Sequence, residues 1–457
     1  FDLYTRTGTE NHKEVVQKLF TLLNDKGYLE EQVSSQPYSE ESEMFLSDRY
    51  IEGDCPHCPS RTKGDQCDNC GQDFEPSDLK NLISTIDNSK VTFKETNHIY
   101  LKLPEFQENL NQWINSKSYW RPAVKNQSLG FLSNGLINRA ITRDIDWGVE
   151  VPVKNYEKKR IYVWFEAVIG YLSASIEWAK SDKNISNNKN IWKEWWQNPD
   201  SKHFYFQGKD NIPFHTIILP AILMGSGEYN LPYDVVANEY LNFSGKQFSK
   251  SKNWAVWVSD FLKEYDSEAL RYYLSSIMPE SSDSDFTWDS FFDSNNNELV
   301  ATFGNLVNRI QSLIKSNFDN IIPDFETIDD VDNGMISAIK NSFDSAGNFL
   351  EKRQFRNSLK EIMNLAKLGN RYIDQKEPWS TVKSNRQIAA NTLWVGANLI
   401  SNLGVLISPF LPKTSLKISS IFNFGSDIPK WEYREVKSGT CIVNISPLFK
   451  KIDKEKE

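Results

Sequence analysis

The sequence predicts an α/β region of doubly wound type, interrupted by a small metal-binding insertion and followed by an all-α helical bundle. Three observations carry this. From about residue 160, short apolar strand patterns alternate with helical ones, the rhythm of a parallel sheet covered by crossover helices. Four cysteines fall in two Cys-x-x-Cys pairs between residues 55 and 70. After residue 290 the strand patterns stop and four long helical patterns follow.

Taken in order, ENHKEVVQKLFTLLNDKG (10–27) predicts an amphipathic helix closed by a glycine. Residues 50–75, rich in Cys, Gly and Asp, suit a loop-dominated module, and FQENLNQWINSKSYW (106–120) is helical in pattern. RIYVWFEAVIGYLSASIEWAK gives a short strand and then a helix; HFYFQGKD gives a strand ending in a glycine turn. IPFHTIILPAILMG is a helix and YDVVANEY a strand. Helices are predicted over 294–318, 333–351, 354–376 and 386–408, joined by linkers rich in Asp, Asn and Pro. The tail DKEKE reads as a frayed end, and no internal repeat is visible.

A chain of 457 residues exceeds one ordinary core and implies two to four domains. A net charge of -9 excludes a global attraction to nucleic acid, so any such binding needs a local patch. No signal peptide is visible. The uncharged stretch between Arg386 and Lys413 contains Asn391, Asn398, Asn402 and Pro409, which favours a buried core helix over a membrane span. The chain begins at Phe1, not Met, so the natural N-terminus is expected to lie outside it.

Cys55, Cys58, Cys67 and Cys70 are spaced to point four thiolates at one tetrahedral Zn²⁺. Gly64 and Gly71 would allow the tight backbone. Four thiolates leave no open coordination position, so one structural zinc per chain is expected; two redox pairs or four free thiols are the alternative. Clustering of this kind is unlike a disulfide framework and points to a reducing, cytoplasmic setting. Cys441 is expected to be an ordinary buried thiol.

Gly208, Lys209 and Asp210 lie at a predicted strand's carboxyl end, just before a helix, where open α/β sheets bind ligands and a helix N-terminus favours phosphate. The same tripeptide also suits a plain turn. Trp164, Ala167 and Tyr171, with Phe214 and His215 in the next unit, fit either core packing or an apolar pocket with one imidazole and one phenol. SGKQFSKSKNW (244–254) is either a solvated basic loop or a mobile clamp on a polyphosphate.

QFSKS (247–251) resembles the KMSKS signature of class I aminoacyl-tRNA synthetases. YVWFEAVIGY, GKDNIPFH, ITRDIDWG, FLSDRYIEGDCPHC, LRYYLSS, NLVNR and KEPW resemble, in family order and over essentially the whole chain, the methionyl-tRNA synthetase family. The resemblance implies a Rossmann catalytic domain split by a zinc-bearing connective insertion, then a stem-contact module and a helical anticodon-binding domain. The boundaries expected are a remnant of the first catalytic half at 1–27 and the insertion at 28–140. The second half follows at 141–243, the stem-contact module at 244–292, the anticodon domain at 293–440 and a tail at 441–457. The implied reaction uses Mg²⁺ with ATP to convert L-methionine to methionyl-adenylate, and then charges tRNA(Met). Lys250 would hold the ATP phosphates in the transition state, with Ser249 and Ser251 shaping the loop and Gly208, Lys209 and Asp210 on the nucleotide side. Trp164, Ala167, Tyr171, Phe214 and His215 match the family's methionine pocket. Asn305 and Arg309 match anticodon readers, and Trp379 the base-stacking tryptophan.

The sequence departs from the family pattern at Gln247, which replaces the first signature lysine although Lys246 precedes it, and at Val168, where proline is frequent. The His-Ile-Gly-His motif of the class has no counterpart here, so this chain alone is expected not to activate methionine. Residues 301–390 hold 12 Lys+Arg against 11 Asp+Glu, so the RNA contact would be a local arrangement. Other readings are a leucyl, isoleucyl, valyl or cysteinyl enzyme, whose longer insertions or different metal logic fit less well, and a non-catalytic tRNA-binding paralogue. A monomer is expected.

Overall fold

Helix α1 (Glu10–Asp25) is capped by the Thr9 hydroxyl, which accepts from the His12 N–H, and buries Val16, Leu19, Phe20 and Leu23 on one face. Gly27, at φ +79°, takes the left-handed conformation that ends the helix and turns the chain into a long ribbon. The structure is a computed structural model. It describes the chain apart from residues 48–49, 65–66, 68–69, 71–73, 75, 251, 444–445 and 454–457. Gly71 and Ser251 therefore lie outside the described residues. The described chain forms two compact units, 1–237 and 238–457.

In the first unit, β1 (Leu29–Ser39) is followed by β2 (Met44–Phe45). A knuckle sheet comes next, with β3 (Ile51–Asp54), β4 (Arg61–Lys63) and β5 (Lys80–Ser84) in the order β4-β3-β5. The chain returns along β6 (Val91–Leu101), which pairs antiparallel with all of β1. Both long strands alternate buried or half-buried with exposed residues, the pattern of a ribbon with one wet face. Helices α2 (Gln107–Asn115) and α3 (Pro122–Ser133) follow, and their Leu110, Ile114 and Val124 join the same apolar core as Leu29 and Leu101 of the ribbon. The short strands β7 (Arg139–Ala140), β8 (Thr142–Arg143) and β9 (Arg160–Ile161) lead into α4 (Val163–Lys180). After α5 (Trp192–Trp196), β10 (Phe204–Gly208), α6 (Leu219–Ser226) and β11 (Asp234–Asn238) form the expected strand–helix–strand unit, with β10 hydrogen-bonded to β11. One apolar core, including Phe20, Leu101, Phe165, Ile169 and Val235, joins these elements.

The second unit opens with β12 (Leu241–Phe243) and β13 (Lys246–Gln247), joined through Ser244 at φ +48° and Gly245 at φ +77°, a tight hairpin turn. Helices α7 (Val258–Glu264) and α8 (Ser267–Ser276) precede β14 (Ser284–Phe286), which runs parallel to β12. Beyond α9 (Trp288–Asp293), a wide π-helical stretch over 294–304 runs directly into α10 (Asn305–Phe318). The bundle continues with α11 (Asp330–Glu351), α12 (Phe355–Lys376), α13 (Pro378–Ser384), α14 (Arg386–Leu406) and α15 (Pro412–Ile421). α13 and α15 were not foreseen from the sequence; both start with proline after a break, where periodicity is too short to register.

α14 explains the long uncharged stretch. Nearly every residue in it is buried. Its Asn398 and Asn402 accept from the N–H groups of Val436 and Arg434, so the asparagines bind a passing backbone segment inside the core. No helix among the described residues is long and apolar enough to cross a membrane. One expectation is corrected here. Cys441 is exposed, because it lies in an isolated antiparallel bridge with Ile321 at the surface of the bundle and not inside it.

Candidate functional site

The knuckle brings the four predicted cysteines together. Their sulfurs all lie within 4.8 Å of one another. The pairs Cys55–Cys70 and Cys58–Cys67 are 3.8 and 3.7 Å apart. A zinc–sulfur bond of about 2.3 Å requires a tetrahedral S···S edge of about 3.8 Å, so the donor set fits one tetrahedral ion. The His57 N–H donates to the Cys55 sulfur at 3.4 Å. Gly64, at φ +81°, makes the turn after β4.

On α4, residues 165, 166, 168, 169, 172 and 173 are buried, whereas Ala167 and Tyr171 are exposed and Trp164 half-buried. The helical period puts Trp164, Ala167 and Tyr171 on one outward stripe. Across from it, the chain leaves β10 at Gly208. A side chain there would meet the Asp210 carboxylate at 2.9 Å, so glycine lets Asp210 fold back over the strand end. Residues 209–211 make a 3₁₀ turn and 214–218 a π-helical one, whose wider spacing sets Phe214 and His215 against α4. The Phe214 ring lies edge-on to Trp164 at 5.0 Å, and Tyr171 and Tyr205 both pack on His215.

The His215 tautomer follows from its neighbours. Nδ1 faces the Asn211 carbonyl at 2.9 Å and must donate. Burial lowers the His215 pKa, only partly opposed by that carbonyl, so the ring is neutral and Nε2 accepts from the Tyr171 hydroxyl at 2.8 Å. Burial raises the Tyr171 pKa, keeping the phenol protonated. The Tyr171 proton is thereby committed to His215, and its oxygen is left as an acceptor toward the outer stripe.

Two groups of residues supporting this face are silent in the sequence. His12 on α1 bonds Glu166 at 2.6 Å and Ser173 at 2.8 Å, both on the inner side of α4. These are buried polar partners more than 150 residues apart in the chain, invisible to any local pattern. Arg139 lies 5.5 Å from the Trp164 ring and Arg143 lies 3.9 Å from the Tyr162 ring.

Lys250 lies in the second unit at an exposed turn. Ser249 and Trp254 pair antiparallel with two 2.9 Å hydrogen bonds, closing a loop that carries Lys250, Lys252 and Asn253. Phe248 stacks on Phe243, the Trp254 indole donates to the Phe243 carbonyl, and Lys246 lies over the Trp254 ring at 5.2 Å. The base of the loop is therefore fixed and its lysine tip is presented outward. Lys246 is engaged by an aromatic ring, so the basic residue beside Gln247 has a packing role in this conformation.

In the bundle, Asn305 and Arg309 are one helical turn apart at the start of α10. Arg309 donates to Asp374 at 2.6 Å, and its guanidinium lies 5.3 Å from the ring of the half-exposed Trp379 on α13. The structure thus gathers Arg309 and Trp379 at one end of the bundle. Lys209 and its neighbours belong to the first unit and Lys250 to the second.

With this geometry in view, comparison with known proteins is decisive. The family described as "tRNA synthetases class I (M)" matches residues 1–311, and the "Anticodon binding domain of methionyl tRNA ligase" matches residues 322–457. This chain belongs to that synthetase family. Among relatives, it is 45% identical to the methionine–tRNA ligase of Dehalococcoides mccartyi over 99% of this chain and 82% of that one. It is 41% identical to that of Chloroflexus aggregans over 100% of this chain and 83% of that one. A methionyl-tRNA synthetase from Mycobacterium tuberculosis, solved with methionyl-adenylate, shares the fold with a TM-score of 0.78 and 21% identity, covering 98% of this chain and 83% of that one. The family fold is a class I catalytic region followed by a helical anticodon-binding domain, as the alternation of strands and helices and the later bundle predict.

Proposed function

We infer that this chain belongs to a methionine–tRNA ligase, which joins methionine to tRNA in two steps driven by ATP; without a His-Ile-Gly-His counterpart, the chain alone is expected not to carry the first step. In the first, the methionine carboxylate attacks the α-phosphate, forming the mixed anhydride and releasing pyrophosphate. In the second, a ribose hydroxyl at the tRNA end attacks the acyl carbon and adenylate leaves. The observation that carries the reading is the neutral His215–Tyr171 pair set into an aromatic stripe. Trp164 and Phe214 offer polarizable faces suited to a thioether, and Ala167 leaves room beside them. The Tyr171 oxygen, an acceptor in this network, suits an ammonium donor such as the substrate amine.

Gly208, Lys209 and Asp210 would receive the nucleotide at the strand end. Lys250, with Ser249 and Ser251 beside it, would stabilise charge on the departing pyrophosphate; Mg²⁺ would arrive with ATP as part of the substrate. Asn305, Arg309 and Trp379 would read the anticodon, Trp379 by stacking on a splayed base. The four cysteines would hold a structural zinc, which stiffens the knuckle and supplies no reactive position. The domain limits set out from the sequence, a monomer and a cytoplasmic setting complete the proposal.

The test is pyrophosphate exchange into ATP by the full-length gene product. Exchange is expected with methionine and not with leucine or cysteine, and equal exchange with either would defeat the assignment. Lys250→Ala is expected to slow exchange by about 10²–10³-fold, the usual cost of losing one transition-state donor.

A further inference from the structure

The base-stacking role read for Trp379 depends on how its ring is aimed, and the structure contains an unusual device for aiming it. Helices α12 and α13 are joined by a single residue. Glu377, at φ +44°, is at once the last cap of α12 and the first of α13. A non-glycine residue in this region is held there by its surroundings. The Glu377 N–H donates to the Ile373 carbonyl, and its own carbonyl accepts from the N–H groups of Ser380 and Thr381 at 2.9 Å. Pro378 then fixes the first turn of α13, and Trp379 follows.

Immediately before this reversal lies Lys376, whose side chain is only 7% exposed. Its ammonium lies 2.7 Å from Asp329 and 3.0 Å from Asp332. These two carboxylates form the capping box of α11, each accepting a backbone N–H of the other residue. Asp332 also accepts from the buried Tyr372 hydroxyl at 2.7 Å. The positive end of the α11 dipole faces the same two carboxylates. Every polar atom of the cluster thus has a partner, and the last residue of α12 is riveted to the first turn of α11. Asp374, also on the last turn of α12, holds Arg309 at the Trp379 ring.

We propose that Lys376 is a positioning residue for tRNA recognition: its ion pairs with Asp329 and Asp332 fix the end of α12 so that Glu377 directs Trp379, beside Arg309, toward the anticodon. The inference rests on the stacking role of Trp379. It assigns Lys376 no contact with RNA.

The experiment is a double-mutant cycle on the full-length enzyme, reading KM for tRNA in aminoacylation and methionine-dependent pyrophosphate exchange. Trp379→Ala is expected to raise KM for tRNA by about 10- to 100-fold, the value of one base stack. Lys376→Met is expected to raise it in the same direction, and to add less than about 2-fold when combined with Trp379→Ala, because both act through one ring. Exchange should be unchanged in all three. Because Lys376→Met leaves two carboxylates unpaired, Lys376→Met/Asp332→Asn and the milder Asp329→Asn carry the same cycle if the single variant does not fold. Multiplying effects in the combined variant, an unchanged KM in the folded Lys376 variants, or a parallel loss of exchange would each overturn the proposal. If Trp379→Ala itself leaves KM unchanged, the stacking reading fails first, and this inference with it.

Discussion

All five histidines of the chain lie in 1–237, and none lies in 238–457. The two units hold the side chains described above by different physics. In the first, the aromatic stripe on α4 rests on hydrogen bonds to buried rings: Tyr171 to His215, and Glu166 and Ser173 to His12. In the second, Trp379 and Arg309 rest on ion pairs: Lys376 with two aspartates, and Arg309 with Asp374. Within the first, burial lowers the His215 pKa; the second contains no histidine. The first suits a small uncharged tail that must be enclosed; the second suits a polyanion met at the surface.

The largest expected break in this contrast comes from the knuckle. Replacing the buried Cys67 by serine should abolish stoichiometric zinc, measured by elemental analysis after dialysis. Hydrogen-exchange protection of residues 51–84 should be lost while that of α10–α14 stays unchanged. Loss of protection in the bundle as well would show that the units do not fold separately.

A second, smaller effect concerns acid. His98, His203 and His215 all have pKa values lowered by burial. A lowered histidine pKa means that the unfolded chain takes up protons first. The associated stability is full above the unfolded value of about 6.5 and is lost as pH falls through the folded pKa values. Protonation of His215 also makes Nε2 a donor, so the hydrogen bond with Tyr171 reverses and takes up acceptor capacity of the phenol oxygen. Between pH 7.5 and 5.5, KM for methionine should rise and protection in 1–237 should decline. The bundle, without histidine, should hold. Its Asp329, whose pKa is lowered chiefly by Lys376, contributes stability that is lost only as pH falls below the ordinary aspartate range. A flat KM profile for methionine would exclude the His215–Tyr171 pair from the pocket.

The smallest effect is expected at Asp374, a largely exposed partner of Arg309. Asp374→Asn should change the bundle's stability by no more than about 1 kcal/mol, as for other exposed pairs. It should also reduce the sensitivity of tRNA binding to salt no more than slightly. A large loss of stability would place the pair among the buried ones.

The sequence made some of this legible and hid the rest for physical reasons. Cys-x-x-Cys spacing is local, and the four sulfurs meet as that spacing predicts. Apolar periodicity located α1, α4, α12 and α14 to within a few residues. The long β1–β6 ribbon was not foreseen: LEEQVSSQPYS is polar, and its pairing partner lies more than fifty residues away. The His12–Glu166–Ser173 connection was hidden for the same reason. Cys441 misled because cysteine is usually buried, and here strand pairing at the bundle's rim sets its exposure. Ser251, the last residue of the loop signature, lies outside the described residues.

The one-residue joint at Glu377 also constrains how this protein can vary over evolutionary time. An ordinary loop absorbs insertions and deletions, but a joint shared by two helices has no slack. One added residue in α13 before Trp379 would swing the ring through about 100° around the helix, and a second would carry it to the opposite side. The spacing from Lys376 to Trp379 is therefore constrained along with the residues that hold it. Length polymorphism should be found everywhere in the bundle's connections except there.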